Sequence, residues 1–481
     1  MFAYVLLHLI IAISLLAALV KGTKPLLWMV GFLLPLQGLS IYIGIQLNWA
    51  KFIVIPLLLN WVIRGQKHKW SRLPGIYWFG LIILYIIASA IGAMLFDEEA
   101  NRLSAVARAL GWGVGQTTYR YLVQGLQFVQ IFLAPLIVMM VVKNCEKEDK
   151  LVSGFLAGNI FSILAGIYQI ISDRLGLPWF STDLSNAVQG NLALRESVQG
   201  FGTGIVVVTR LYGFGGEPKH TAAFAVIALS IILARAMSGE LYKYSKASVV
   251  ILVFGIVLTF STSAWASFGM IILLFSWIGL NKRRKKYWKP LLLVIALIFL
   301  PVLVGANDEL MGLIISRTTE RAKDSDTVAM NEPKDAALLA HLRNEPARAI
   351  IGHGPGGVSF FLIRYSSREI LQRGLSMSPT YTLSRIIGDF GVVGFGLILG
   401  LWLSLFRFGK RTNARLAVII SALGVVVLFM PFVVFPALLI ILGSTVNYSL
   451  TCDGWDVARA SFAKSGREAS LKSYGRGFLH K

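Results

Sequence analysis

Long apolar runs alternate with short polar links along most of the chain. They fall at about 3–20, 26–46, 49–63, 75–96, 123–143, 151–171, 221–237, 247–263, 265–281, 289–305 and 386–406, followed by a double-length run at 416–448. Runs near 20 residues are long enough to cross a bilayer as helices. A lipid-exposed chain must satisfy its own backbone hydrogen bonds, so the pattern predicts helices throughout. The last run is interrupted by Pro431 and Pro436 and is long enough for a hairpin. The expected fold is an all-α polytopic integral membrane protein with about 12–13 transmembrane helices.

Charge orients this bundle. RGQKHKWSR (64–72), KNCEKEDK (143–150), NKRRKKYWK (281–289) and RFGKRTNAR (407–415) are short basic links, which should face the cytoplasm. The alternation then places loops near 97–122 and 172–220 on the outer side, within a bundle spanning 1–305. A large outer loop follows at 306–385, then C-terminal transmembrane helices at 386–449 and a basic tail at 450–481. The first run, Ala3 to Val20, lacks a basic start and an obvious cleavage site, so it is read as a retained span.

Composition narrows the function classes. Of 481 residues 56% are hydrophobic and 15% charged, too apolar for an ordinary soluble enzyme. The net charge of +22 is concentrated in topology-setting links, so no nucleic-acid partner is expected. Cys145 and Cys452 are the only cysteines and lack metal-ligand spacing, so neither a disulfide framework nor a zinc site is expected. No Walker loop, His-Glu-x-x-His motif or nucleophile elbow is present.

The large outer loop carries the densest candidate chemistry. Between Asn307 and Arg385 there are eight arginines against two lysines. Topology requires no positive charge there, and the planar guanidinium suits phosphate and carboxylate. The alternative is solvated pairing with the loop's own acids. Two stretches, 333–350 and 359–374, have the amphipathic period of interfacial helices, which either wall a cavity or pack on the bundle. Between them AIIGHGPGGVSFF (349–361) gathers four glycines and a proline around His353. It follows Arg343 and Arg348 and reads either as a ligand-approaching loop or as a plain turn.

Other polar constellations lie at helix entrances. TRLYGFGGEPKHTAAF (209–224) places Arg210, Glu217, Lys219 and His220 around glycines, as an acid/base or phosphate site or as an interfacial cap. In RYLVQGLQFVQ (120–130), Arg120, Gln124, Gln127 and Gln130 share one helical face that would line a cavity. Mid-span ionisable residues, which coupled transport generally needs, are scarce; Asp389 near a helix entrance is the clearest exception. Gly388, Gly391 and Gly394 in SPTYTLSRIIGDFGVVGFG (378–396) would let that helix pack closely on another.

RLYGFGGEP before a span, PARAIIGHGPGGVSFF late in a large outer loop and GDFGVVGFG at the next span together resemble the O-antigen polymerase and ligase superfamily of bacterial envelope polysaccharide assembly. The resemblance implies a multi-pass protein of the bacterial inner membrane whose site faces the periplasm. It implies a metal-independent glycosyltransferase without cofactor, acting on undecaprenyl-pyrophosphate-linked oligosaccharides among membrane lipids. A flippase and a chain-length regulator are the partners it implies.

By resemblance, outer-loop arginines hold the pyrophosphate: Arg210 and Arg343 first, then Arg348, Arg385 and Arg321. Arg343 precedes Gly354 by the arginine-x10-glycine spacing described for polymerases. The expected general base is Glu217, followed by His220 and His353. Members acting as ligases carry a His-Asn/Ser/Gln pair nine residues before Gly-x-x-Gly. Here Thr380-Tyr381 stand in its place, which favours a polymerase over a ligase. A small-anion or inorganic-carbon transporter and a non-enzymatic scaffold are the remaining readings.

Overall fold

The computed structural model describes residues 2–42, 46–49, 53–63, 74–109, 117–141, 150–177, 200–202, 207–209, 211–237, 245–259, most of 261–272, 334–362, 381–412 and parts of 420–446. The expected span at 289–305, the first part of the large loop, most of the 359–374 stretch and the basic tail lie outside these residues.

The protein is an all-α membrane bundle, with five helices among the described residues long and apolar enough to span a bilayer. In chain order the helices are α1 (Phe2–Lys21), α2 (Thr23–Leu33), α3 (Val54–Ile63), α4 (Ile76–Phe96), α5 (Glu98–Ala109), α6 (Thr117–Val141) and α7 (Lys150–Leu175). They continue with α8 (Pro218–Met237), α9 (Ser245–Leu258), α10 (Lys334–Asn344), α11 (Pro346–Ile351), α12 (Val358–Phe361), α13 (Thr382–Thr412) and α14 (Phe435–Val446). Membrane-length segments lie in α4, α6, α7, α8 and α13, while α1, α3, α9 and α14 contain shorter apolar ones. Two antiparallel hairpins of three-residue strands, Ser40–Tyr42 with Gln46–Asn48 and Gly200–Gly202 with Val207–Thr209, are the exceptions to the helical pattern.

Three elements differ from the periodicity. The run at 26–46 is helical only to Leu33: Leu34 keeps helical angles, but Pro35 has no N–H to continue the ladder. Gln37 Nε2 then donates to the Leu34 carbonyl at 2.8 Å, closing the helix end. The predicted helix at 333–350 is divided at Glu345, since Pro346 starts α11 at a position where its missing N–H costs nothing. Finally, α13 is broken at Gly391, whose φ of 64° lies in the left-handed region.

Apolar area alone cannot pair helices inside lipid, so close backbone approach matters. Gly31 of α2 and Gly154 and Gly158 of α7 provide it: a methyl at any of them would collide with the facing backbone of Leu151, Trp28 or Phe32. Elsewhere α4 packs on α6 and on α13, and α11 rests on α13. Those four helices hold the candidate site.

Candidate functional site

The stretch around His353 is buried from Gly352 to Leu362, folded into the helices beside it. Gly352, Gly354 and Gly356 have φ values of 79°, 80° and 75°, which side chains larger than glycine's rarely adopt. A methyl on Gly352 would also strike the Asp389 carbonyl. The turn docks where α13 is broken. A left-handed residue at 391 withdraws the helical donors that would serve the preceding carbonyls, and buried backbone acceptors need replacements. The turn supplies them: His353 N–H donates to Gly388 O at 3.2 Å and Gly354 N–H to Asp389 O at 2.8 Å. The Tyr85 hydroxyl from α4 lies 2.9 Å from Ile351 O and 3.0 Å from Phe390 O, bridging turn and break. The close contact of Gly391 is thus with the Ile350 carbonyl of the loop, and that of Gly388 with Val358, where close packing on another membrane helix was expected.

Charged groups gather around this turn. Arg385 Nε donates to Asp389 Oδ2 at 2.6 Å, with both side chains buried, and Arg385 Nη2 donates to Gln124 Oε1 at 3.2 Å. Arg120, one turn before Gln124 on α6, lies 5.1 Å from the centre of the Phe360 ring and within electrostatic reach of Arg385 and Asp389. Arg348 Nη2 stands 3.4 Å from Asp97, whose carboxylate also accepts from Tyr121 Oη at 3.0 Å and from the Ala100 N–H at 3.2 Å, capping α5. Among the described residues of this group, three arginines face two carboxylates. These guanidinium groups sit in surroundings of low dielectric, which strengthens their pull on an anion.

Beneath the turn lies a histidine pair. His341 and His353 are both 0% exposed, with their Nε2 atoms 2.7 Å apart and their rings against Phe361. Because a carbonyl can only accept, His353 Nδ1 is the protonated nitrogen, donating to Gly388 O at 2.9 Å. Burial drives the His353 pKa down to about 3, and burial lowers that of His341 also, so both rings are neutral at pH 7. Glu345 Oε1 is 3.7 Å from His341 Nδ1.

Of the residues singled out from sequence, the structure therefore brings Arg120, Gln124, Arg348, Arg385 and His353 together. Gln127 is half-buried one turn further along α6. Arg343 is exposed in the last turn of α10. Glu217 and His220 belong to a second group at the start of α8, with Glu217 Oε2 2.9 Å from Lys219 Nζ and 3.9 Å from His220 Nε2. The turn before them is buried against α7: Gly213 N–H donates to Gln169 Oε1 at 3.3 Å and Phe214 N–H to Ser162 Oγ at 3.2 Å. Arg210 and Arg321 lie outside the described residues.

Sequence reasoning missed Asp97, Tyr121 and His341. Asp97 was legible in principle, as an aspartate closing an apolar run ahead of Glu98-Glu99 and a helical period, which is an N-cap signature. His341 had no such signal, since only the fold sets it against His353.

Comparison with known proteins adds a family. No curated protein matches the chain. A family model described as O-antigen ligase matches residues 247–341, from the start of α9 to His341 in α10. This match supports the resemblance of the sequence motifs to the O-antigen polymerase and ligase superfamily.

Proposed function

We propose that the chain is an inner-membrane glycosyltransferase that joins undecaprenyl-pyrophosphate-linked oligosaccharide repeat units at the periplasmic face. The observation carrying this reading is the convergence of Arg120, Arg348 and Arg385 on one buried glycine turn. In the reaction an acceptor hydroxyl oxygen attacks the anomeric carbon, the bond from that carbon to pyrophosphate breaks, and the hydroxyl proton passes to a base. Pyrophosphate leaves as an anion. Fixed guanidinium groups stabilise that developing charge without reorganising, so the transfer step itself calls for no metal.

Arg385 is the first candidate for this role. Asp389 and Gln124 hold its guanidinium from two sides, making Asp389 a positioning residue. Arg343, Arg210 and Arg321 remain candidates for holding the pyrophosphate, and Glu217 for the base, with His220 beside it. His353 has both ring nitrogens engaged and serves to hold the turn.

A second reading is transfer of finished glycan to an acceptor such as lipid A core, favoured by the ligase description of the matching family model. The two are separated by gel analysis of surface glycan in a strain lacking the gene, complemented with wild type or Arg385→Ala after confirming membrane expression. A polymerase predicts loss of the ladder with a single repeat still attached. Loss of attachment with accumulation of lipid-linked polymer identifies a ligase, and an unchanged ladder in the deletion strain rejects both.

A further inference from the structure

We propose that His341, Glu345 and His353 bind one divalent transition-metal ion, zinc foremost, which fastens the α10–α11 junction to the glycine turn. One potential ligand atom from each residue lies within 4.8 Å of the other two. Two imidazoles and a carboxylate are a donor set that zinc accepts, whereas magnesium and calcium prefer oxygen alone. Cysteine spacing gives no sign of this site, whose ligands come from two segments and share no motif.

The second shell fits as well. A metal-bound imidazole generally donates its other N–H to a fixed acceptor, and His353 Nδ1 does so to the Gly388 carbonyl, leaving the Nε2 lone pair aimed at His341. The 2.7 Å hydrogen bond between the two Nε2 atoms needs a proton on His341 Nε2; ligation moves that proton to Nδ1, beside Glu345, and parts the nitrogens by about 0.6 Å to the about 3.3 Å that a tetrahedral ion with bonds of about 2.0–2.1 Å imposes. Glu345 supplies the adjustable ligand: its side chain is 31% exposed and lies 3.7 Å from His341 Nδ1, from where it must swing toward the Nε2 atoms.

Three parts of the fold would be tied by this ion. His341 and Glu345 flank the end of α10, His353 belongs to the turn, and Gly388 belongs to α13. The ion would act on loop order, apart from the transfer step, so its test is independent of glycan chemistry.

The experiment is cobalt(II) titration of tag-free protein in detergent, followed by visible absorption and metal analysis, with zinc as competitor. The expected result is one ion per chain, with the intense d–d bands of a four- or five-coordinate site that zinc abolishes. His341→Gln and His353→Gln should lose the bands, and Glu345→Gln should weaken binding at least tenfold. Zinc should also protect residues 334–362 from limited proteolysis, reversed by a chelator. Absence of the bands in wild type overturns the site, as does undiminished binding in Glu345→Gln together with His341→Gln. Binding without added protection overturns the fastening role. The wild-type titration and the half-exposed Glu345 variant decide the matter even if the buried histidine variants fail to fold.

Discussion

Two glycine turns in this protein solve the same backbone problem differently. The turn at 213–216 leads straight into α8, and its first two N–H groups, of Gly213 and Phe214, are taken by side chains of a continuous neighbouring helix, Gln169 and Ser162 of α7. The turn at 352–357 instead donates to main-chain carbonyls exposed by the break in α13 at Gly391. The first arrangement anchors a helix entrance. The second makes loop and membrane helix complete one another, and around it Arg120, Arg348 and Arg385 gather with Asp97 and Asp389. At the first turn the charged residues Glu217, Lys219 and His220 stay at a partly exposed mouth. Among the described residues, concentrated and immobilised positive charge therefore lies at the interlocked turn, which is why the pyrophosphate role is proposed there.

The sharpest way to break the comparison is Arg385→Ala, which leaves the fully buried Asp389 without its partner. Such a loss costs about 3–5 kcal/mol, read as denaturant unfolding in mixed micelles. Next comes Gly391→Ala, which forces a side chain into a left-handed conformation and against the Ile350 carbonyl. Strain and overlap together cost about 2–4 kcal/mol, and residues 334–362 should become protease-sensitive while α8 remains protected. At the first turn Ser162→Ala removes one acceptor and leaves the Phe214 N–H buried, for about 1–2 kcal/mol. It should leave glycan polymerisation unchanged in folded protein. Smallest in stability is Glu217→Gln, within about 0.5 kcal/mol because the site is partly exposed. If Glu217 is the base, polymer formation nevertheless falls at least tenfold, as measured by glycan laddering.

The parts legible from sequence were those set by local physics. Hydropathy located the five membrane-length helices because lipid leaves the backbone few alternatives. The shared face of Arg120 and Gln124 followed from helical spacing; Arg120 lies over the Phe360 ring and Gln124 accepts from Arg385. Less legible was the break in α13. Gly388, Gly391 and Gly394 look the same in sequence as helix-packing glycines, and only the docked loop distinguishes Gly391. The His341–His353 contact was illegible for a similar reason: twelve residues of separation, a proline and a glycine turn intervene, and no periodicity predicts their meeting. The division at Pro346 and the end of α2 before Pro35 were readable from proline chemistry and were overridden by apolar period.

The most direct test of the account uses purified protein and a synthetic undecaprenyl-pyrophosphate-linked repeat unit, comparing wild type with Arg385→Leu/Asp389→Leu. Replacing both members of a buried ion pair by apolar residues is often neutral for stability, so the double variant separates folding from function. The account predicts a double variant that unfolds at the same denaturant concentration as wild type and forms no polymer. Polymer formed by the folded double variant at the wild-type rate would contradict it.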